Sequence, residues 1–312
     1  MLSRRLLREK VVKSVYSHVQ SEGVTISTSE KELVKSIDCA YDLYFHLLSL
    51  IPHLARYAEE RIDIGLNKKL PTYEDLHPNR KFVENRLIAR LEESEALAAE
   101  CKRRKLSWKG CEDLVRTLYN TLVQQEFFRQ YMASESSSFK EDAALVSNIF
   151  MNMLEEDEAL EAVLEEQSIW WGDDLGFILT MASRTVLGVR ESHADIKLME
   201  EFKCDEDLDY AKRLLRDSLA GYERISRIID RTMNNWDIER VALMDNIILV
   251  VAIAEAESFA SIPTRVTMNE YIDIAKYYST DSSSSFINGV LDRVIATLTE
   301  EGKIVKSGKG LL

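Results

Sequence analysis

The chain has 312 residues, with 40 Lys and Arg against 53 Asp and Glu, a formal charge of −13. Glycine (11) and proline (4) are too scarce for a sandwich or barrel, which needs turn residues every ~8–12 positions, so the composition points to helices. The four cysteines form no C-x-x-C pair, which argues against a disulfide framework or a zinc site, and no apolar run approaches the ~18–20 residues of a membrane span.

From the N-terminus, residues 4–20 place Leu7, Val11, Val15 and Val19 on one helical stripe, with Ser3 as N-cap and Gly23 ending the element. Ser29 and Glu32 have capping-box spacing before a second apolar pattern reaching Ala58, which Pro52 should kink or divide. Asp63–Asn79 holds Gly65, Pro71 and Pro78 and reads as a loop. Arg80–Lys105 reads as one long polar helix, whose basic end Lys102–Lys105 suits a helix C-terminus. Cys111–Met132, Asp142–Leu164 and Leu175–Leu187 read as further helices, with a linker at Ser134–Ser138 and a break at Trp170-Trp171-Gly172. Leu208–Met233 and the strongly apolar Ile238–Ala260 follow. Ile262-Pro263 then breaks the chain, and Thr267 with Glu270 forms a capping box opening a helix through Tyr278. A polar turn at Ser282–Ser285 leads to a last helix, Phe286–Glu300, and a short tail.

Charge is unevenly spread. Between Ser134 and Asp174 there are twelve acids and one lysine, whereas residues 1–20 carry Arg4, Arg5, Arg8, Lys10 and Lys13 against Glu9 alone. A global acidic balance therefore does not exclude a polyanionic partner at the N-terminal end. The acidic stretch reads first as a solvated helix face. No G-x-G-x-x-G, Walker-type loop, H-E-x-x-H or nucleophile signature is present, and the five histidines are dispersed. The reading is a binding protein, not an enzyme, with no cofactor and no metal. The N-terminus has no apolar segment behind its arginines, so the expected location is cytoplasmic.

The run from Asp237 to Leu298 resembles the NusB family of transcription antitermination factors. The landmarks are Trp236, Arg240, Asp245, the apolar helix with Glu255, Ile262-Pro263, Asn269-Glu270, Ala275-Lys276 and the phrase Phe286-Ile287-Asn288-Gly289-Val290-Leu291-Asp292, in the family's order and spacing. The first helix, with Arg4, Arg5, Arg8, Glu9 and Tyr16, is similar to the family's arginine-rich first helix, and Leu208–Asp230 to the helix preceding its C-terminal half. The resemblance implies an all-α fold of NusB-like helical bundles, here with an enlarged or inserted helical N-terminal region. On this basis residues 1–22 are the first core helix, 23–204 the insertion, 205–302 the C-terminal bundle and 303–312 a tail. It also implies binding, without catalysis, of boxA-like single-stranded RNA in ribosomal RNA transcripts, with the ribosomal protein NusE and the RNA polymerase antitermination complex as partners.

Particular residues then acquire expected roles. Arginines near a helix N-terminus oppose the dipole, so Arg4, Arg5 and Arg8 favour an interaction role, with Tyr16 as a stacking plane. Basic Arg265 and Lys276 fit phosphate contacts. The resemblance adds Tyr278, Ser282 and Phe286 as RNA contacts, although the two aromatics fit equally well as core residues joining two helices. It assigns Asp245 to the protein partner, on a carboxylate expected to point outward from an apolar helix. Gly289 is expected to permit close helix packing. Two rival readings are a NusB-like subunit supporting ribosomal RNA modification, and a helical scaffold working through residues 134–174.

Overall fold

The computed structural model describes residues 1–136, 138–233, 242–280 and 282–308. Fourteen α-helices run through the described residues: α1 (Arg4–Gln20), α2 (Ile26–Leu66), α3 (Tyr73–Leu76), α4 (Arg86–Glu93), α5 (Glu95–Arg104), α6 (Glu112–Leu122), α7 (Glu126–Ala133), α8 (Phe139–Asn152), α9 (Glu158–Gln167), α10 (Leu175–Gly188), α11 (Glu206–Thr232), α12 (Leu243–Ser258), α13 (Thr264–Tyr278) and α14 (Ser283–Glu300). Their only β feature is an isolated parallel bridge between Leu2 and Phe202. Trp236, Arg240 and the first residues of the expected Ile238–Ala260 helix lie outside the described residues.

The chain divides into two compact units, one of Met1 with Asp38–Glu201 and one of Leu2–Ile37 with Phe202–Leu312. The division falls at 37/38 and 201/202, against the junctions at 22/23 and 204/205 expected from the sequence.

In the first unit, α8 packs on α10 and α4, and α6 on α9. Pro52 does not divide α2, which runs unbroken past it. A helical proline costs ~3 kcal/mol or more. Here Leu47, Leu48, Leu50, Ile51 and Leu54 around it are fully buried, and their burial at ~1.5–3 kcal/mol each outweighs that cost. The expected Arg80–Lys105 helix is instead two, because Ser94 leaves the helical conformation and its side chain caps α5 at Leu97 N. Asn85 caps α4 at Leu87 N and Ile88 N, and its amide donates to the Tyr131 hydroxyl and the Asp142 carbonyl. Cys111–Met132 likewise divides into α6 and α7, and Asp142–Leu164 into α8 and α9. Within the Lys102–Lys105 run only Arg104 is tied inward, bonding Asp38, Asp42 and Glu100, while Lys102, Arg103 and Lys105 stay exposed and Lys105 ends α5 in the left-handed region. At the tryptophan break, Trp171 is buried and donates to the Cys39 carbonyl.

The second unit is built around α12. Every residue from Ile247 to Ala256 is buried, which no amphipathic surface helix would allow. Helices α11, α13, α14 and α1 pack against it. The tail docks too. Ile304 is buried, Ser307 N donates to the Ala260 carbonyl, and the Lys306 ammonium donates to the Ala256 and Phe259 carbonyls at the end of α12. Such a cation satisfies carbonyls that a helix terminus leaves open.

Two expected capping boxes are absent. Ser29 lies inside α2, where its hydroxyl meets His18 Nδ1 at 2.7 Å. Thr267 is fully buried one turn into α13, which opens at Thr264 after Pro263. Gly289 permits no close packing, since a Cβ there would meet nothing within 4 Å.

Candidate nucleic-acid interface

Ser3 caps α1 by accepting a hydrogen bond from Leu6 N, as expected. The buried side of this helix holds Leu6, Leu7, Val11, Val12 and Val15, but also Arg8 and Lys10. Lys10 donates to the Ser36 carbonyl at 2.9 Å.

Arg8 is 3% exposed and makes a bidentate pair with the fully buried Glu255 of α12, at 2.7 and 3.1 Å. Thr267 donates to the same carboxylate at 2.7 Å and Tyr271 at 3.2 Å, and the Tyr210 hydroxyl donates to it as well. Burial, then the Glu255 charge, pushes the phenols of Tyr210 and Tyr271 well above their ordinary pKa, so both stay protonated as donors. Burial opposes the Arg8 charge, but the paired Glu255 carboxylate outweighs it and holds the guanidinium ionised. The phosphate role read for Arg8 is therefore corrected. A buried guanidinium with its fork filled would leave a buried carboxylate unpaired if it turned outward.

Asp245 is also an interior group. It is 6% exposed and accepts from Ser279 Oγ at 2.5 Å and Ser283 Oγ at 2.9 Å, tying the start of α12 to the α13–α14 turn. The outward orientation expected for it does not occur, because these two hydroxyls satisfy a carboxylate within the unit.

The solvent-facing groups gather where α1 meets the end of α13. The Arg5 side chain is 39% exposed, bonds Glu9 and Asp273 at 3.4 Å, and has its guanidinium 5.9 Å from the Tyr277 ring centroid. The Lys276 side chain is 56% exposed and donates to Asp273 at 2.7 Å. That bond, seconded by Arg5, holds the Asp273 carboxyl below its ordinary range. The Lys13 ammonium lies 4.9 Å from the Tyr278 ring centroid, and the Tyr278 hydroxyl donates to Glu9 at 3.4 Å. Three cations thus face two carboxylates over a pair of tyrosines. This combination is suited to phosphates and unpaired bases.

The remaining expected residues sit around this ridge. Arg4 is partly exposed and tied to Asp207 at 2.9 Å. Tyr16 is half-buried, its hydroxyl accepting from Gln20. Arg265 is exposed in the first turn of α13, eleven residues and so ~16 Å before Lys276 on the same helical face. Ser282 is exposed and Phe286 half-buried, at the start of α14. Lys13 and Tyr277 were missed by the sequence reading. The signal for Lys13 was its place on the face of α1 that carries Arg5 and Glu9.

Among the described residues no group of His, Cys, Asp and Glu could hold a metal ion, and no helix is long and apolar enough to cross a membrane.

The NusB family model matches residues 182–296, a stretch that excludes α1. The chain is 39% identical over 111 residues to the transcription antitermination protein NusB of Salinibacter ruber, covering 35% of this chain and 69% of that protein. It is 39% identical over 90 residues to the Listeria monocytogenes protein of the same name, covering 29% of this chain and 70% of that protein. For the Chloroherpeton thalassium protein of that name the values are 36% over 104 residues, 33% of this chain and 49% of the relative. A solved structure of T. maritima NusB aligns with 50% of this chain and 95% of its own, at 24% identity and a TM-score of 0.30. With identity near 40% over more than two thirds of two such relatives, the chain belongs to the NusB family.

Proposed function

We propose that this chain is a transcription antitermination factor that binds boxA-like single-stranded RNA in ribosomal RNA transcripts, jointly with the ribosomal protein NusE. The observation that carries the reading is the basic and aromatic ridge of Arg5, Lys13, Lys276, Tyr277 and Tyr278, on the unit that holds most of the family match. Half-exposed guanidinium and ammonium groups neutralise phosphates, and tyrosines give flat surfaces for unpaired bases. Arg4 and Tyr16 extend the ridge along α1, and Arg265 extends it along α13. Ser282 and Phe286 line the turn beyond Tyr278. Arg8 acts from the interior, by fixing α1 against α12.

The protein partner docks beside the α13–α14 turn. Asp245 serves that surface by bracing Ser279 and Ser283 rather than by meeting the partner directly. The complex then joins RNA polymerase as an antitermination assembly.

The test is fluorescence anisotropy with labelled boxA-like RNA and a scrambled strand, with and without NusE. Selective binding strengthened by NusE is expected. Equal affinity for the two strands in both conditions would remove the reading.

A further inference from the structure

Tyr277 and Tyr278 are adjacent on α13, so their side chains leave the helix ~100° apart and meet different surroundings. Tyr278 is the half-buried one, with Lys13 over its ring and its hydroxyl on Glu9. Tyr277 is 76% exposed, although an aromatic ring in a folded protein normally gains by covering that area. The Arg5 guanidinium lies over its ring near the outer limit for a cation–ring contact. Arg5 and the neighbouring Lys276 converge on the Asp273 carboxylate, which fixes two half-exposed cations beside the ring. A bare aromatic plane flanked by positioned cations matches a nucleotide, with its base on the ring and its phosphate against the cations.

We propose that Tyr277, rather than Tyr278, is the stacking residue of this ridge and takes one unpaired nucleobase of a bound single strand, with Arg5 and Lys276 on the flanking phosphates. The proposal rests on the RNA-binding reading above. Tyr278 is then a positioning residue that joins α13 to α1 through Glu9.

The test uses the full chain and a fluorescein-labelled boxA-like RNA, together with versions carrying 2-aminopurine at successive positions. Tyr277→Ala should weaken binding about tenfold, as for loss of one stacked base, while Tyr277→Phe should stay within about twofold because the ring remains. One 2-aminopurine position should be quenched by the unaltered chain and by Tyr277→Phe, and not by Tyr277→Ala. If the unaltered chain binds and Tyr277→Ala binds equally well, the proposal fails while the RNA reading stands. If Tyr277→Ala spares RNA affinity but abolishes binding of the ribosomal-protein partner, Tyr277 belongs to a protein interface and the proposal fails. If the unaltered chain binds no RNA with or without the partner, both fall together.

Discussion

The guanidinium of Arg8 and the carboxylate of Glu255 form a two-bonded pair inside the second unit, and the hydroxyls of Tyr210, Thr267 and Tyr271 donate to the same carboxylate. The cluster joins α1, α11, α12 and α13 at one point. Desolvating two charges is costly, and hydrogen bonding of this kind offsets it.

Removing one partner should therefore be expensive. Arg8→Ala is expected to destabilise the chain by about 3–5 kcal/mol, because it leaves Glu255 charged and buried. Urea unfolding should show the transition of the second unit at lower denaturant with little change in slope. A loss below ~1 kcal/mol would mean that the pair is not held as described.

The Asp245 carboxylate supports a smaller structure, the turn between α13 and α14. Asp245→Ala should cost ~1–3 kcal/mol through two lost charge-assisted hydrogen bonds. Amide exchange should quicken first at residues 279, 280 and 282–284. Unchanged protection there would contradict the bracing role.

How much of this was legible in the sequence depends on which force decided each point. Helix content, the Ser3 cap and the apolar run of α12 follow from local periodicity, and the sequence shows them. Arg8 could not be placed, because an arginine near a helix N-terminus reads as surface until the carboxylate 247 positions away is known. Thr267 and Glu270 have ideal capping-box spacing, yet Pro263 starts α13 earlier and Glu255 takes the Thr267 hydroxyl. Pro52 and Ser94 mislead in opposite directions: core burial carries α2 through a proline, while a small serine ends α4 and caps α5. At the candidate site the cations of α1 were visible as a charge cluster. Which of two adjacent tyrosines faces solvent was set by packing against α1 and could not be read from spacing.

In the first unit, His46 is 1% exposed, with its ring stacked 3.8 Å from that of Trp108. Burial depresses its pKa from 6.5 to about 4, so the folded state holds it neutral while the unfolded chain protonates it below 6.5. The contribution is fully present above pH 6.5 and is lost as pH falls through 4, a total loss of roughly 3 kcal/mol. His46→Phe should flatten the stability curve of this unit between pH 6.5 and 4 relative to the unaltered chain. Parallel curves would show that the imidazole is solvated.

Salt dependence separates phosphate contacts from stacking. Arg5→Ala and Lys276→Ala should each reduce the slope of log affinity against log salt by about 0.7, the value for one single-strand phosphate. Tyr277→Ala should lower affinity with the slope unchanged. A slope change with Tyr277→Ala and none with Arg5→Ala would reverse these roles.

The most direct measurement is the affinity of the full chain for boxA-like and scrambled single strands at two salt concentrations, with and without NusE. Salt-sensitive binding that favours the boxA-like strand and tightens with NusE is expected. Binding that is absent, or equal for both strands and indifferent to NusE, would contradict the proposed function.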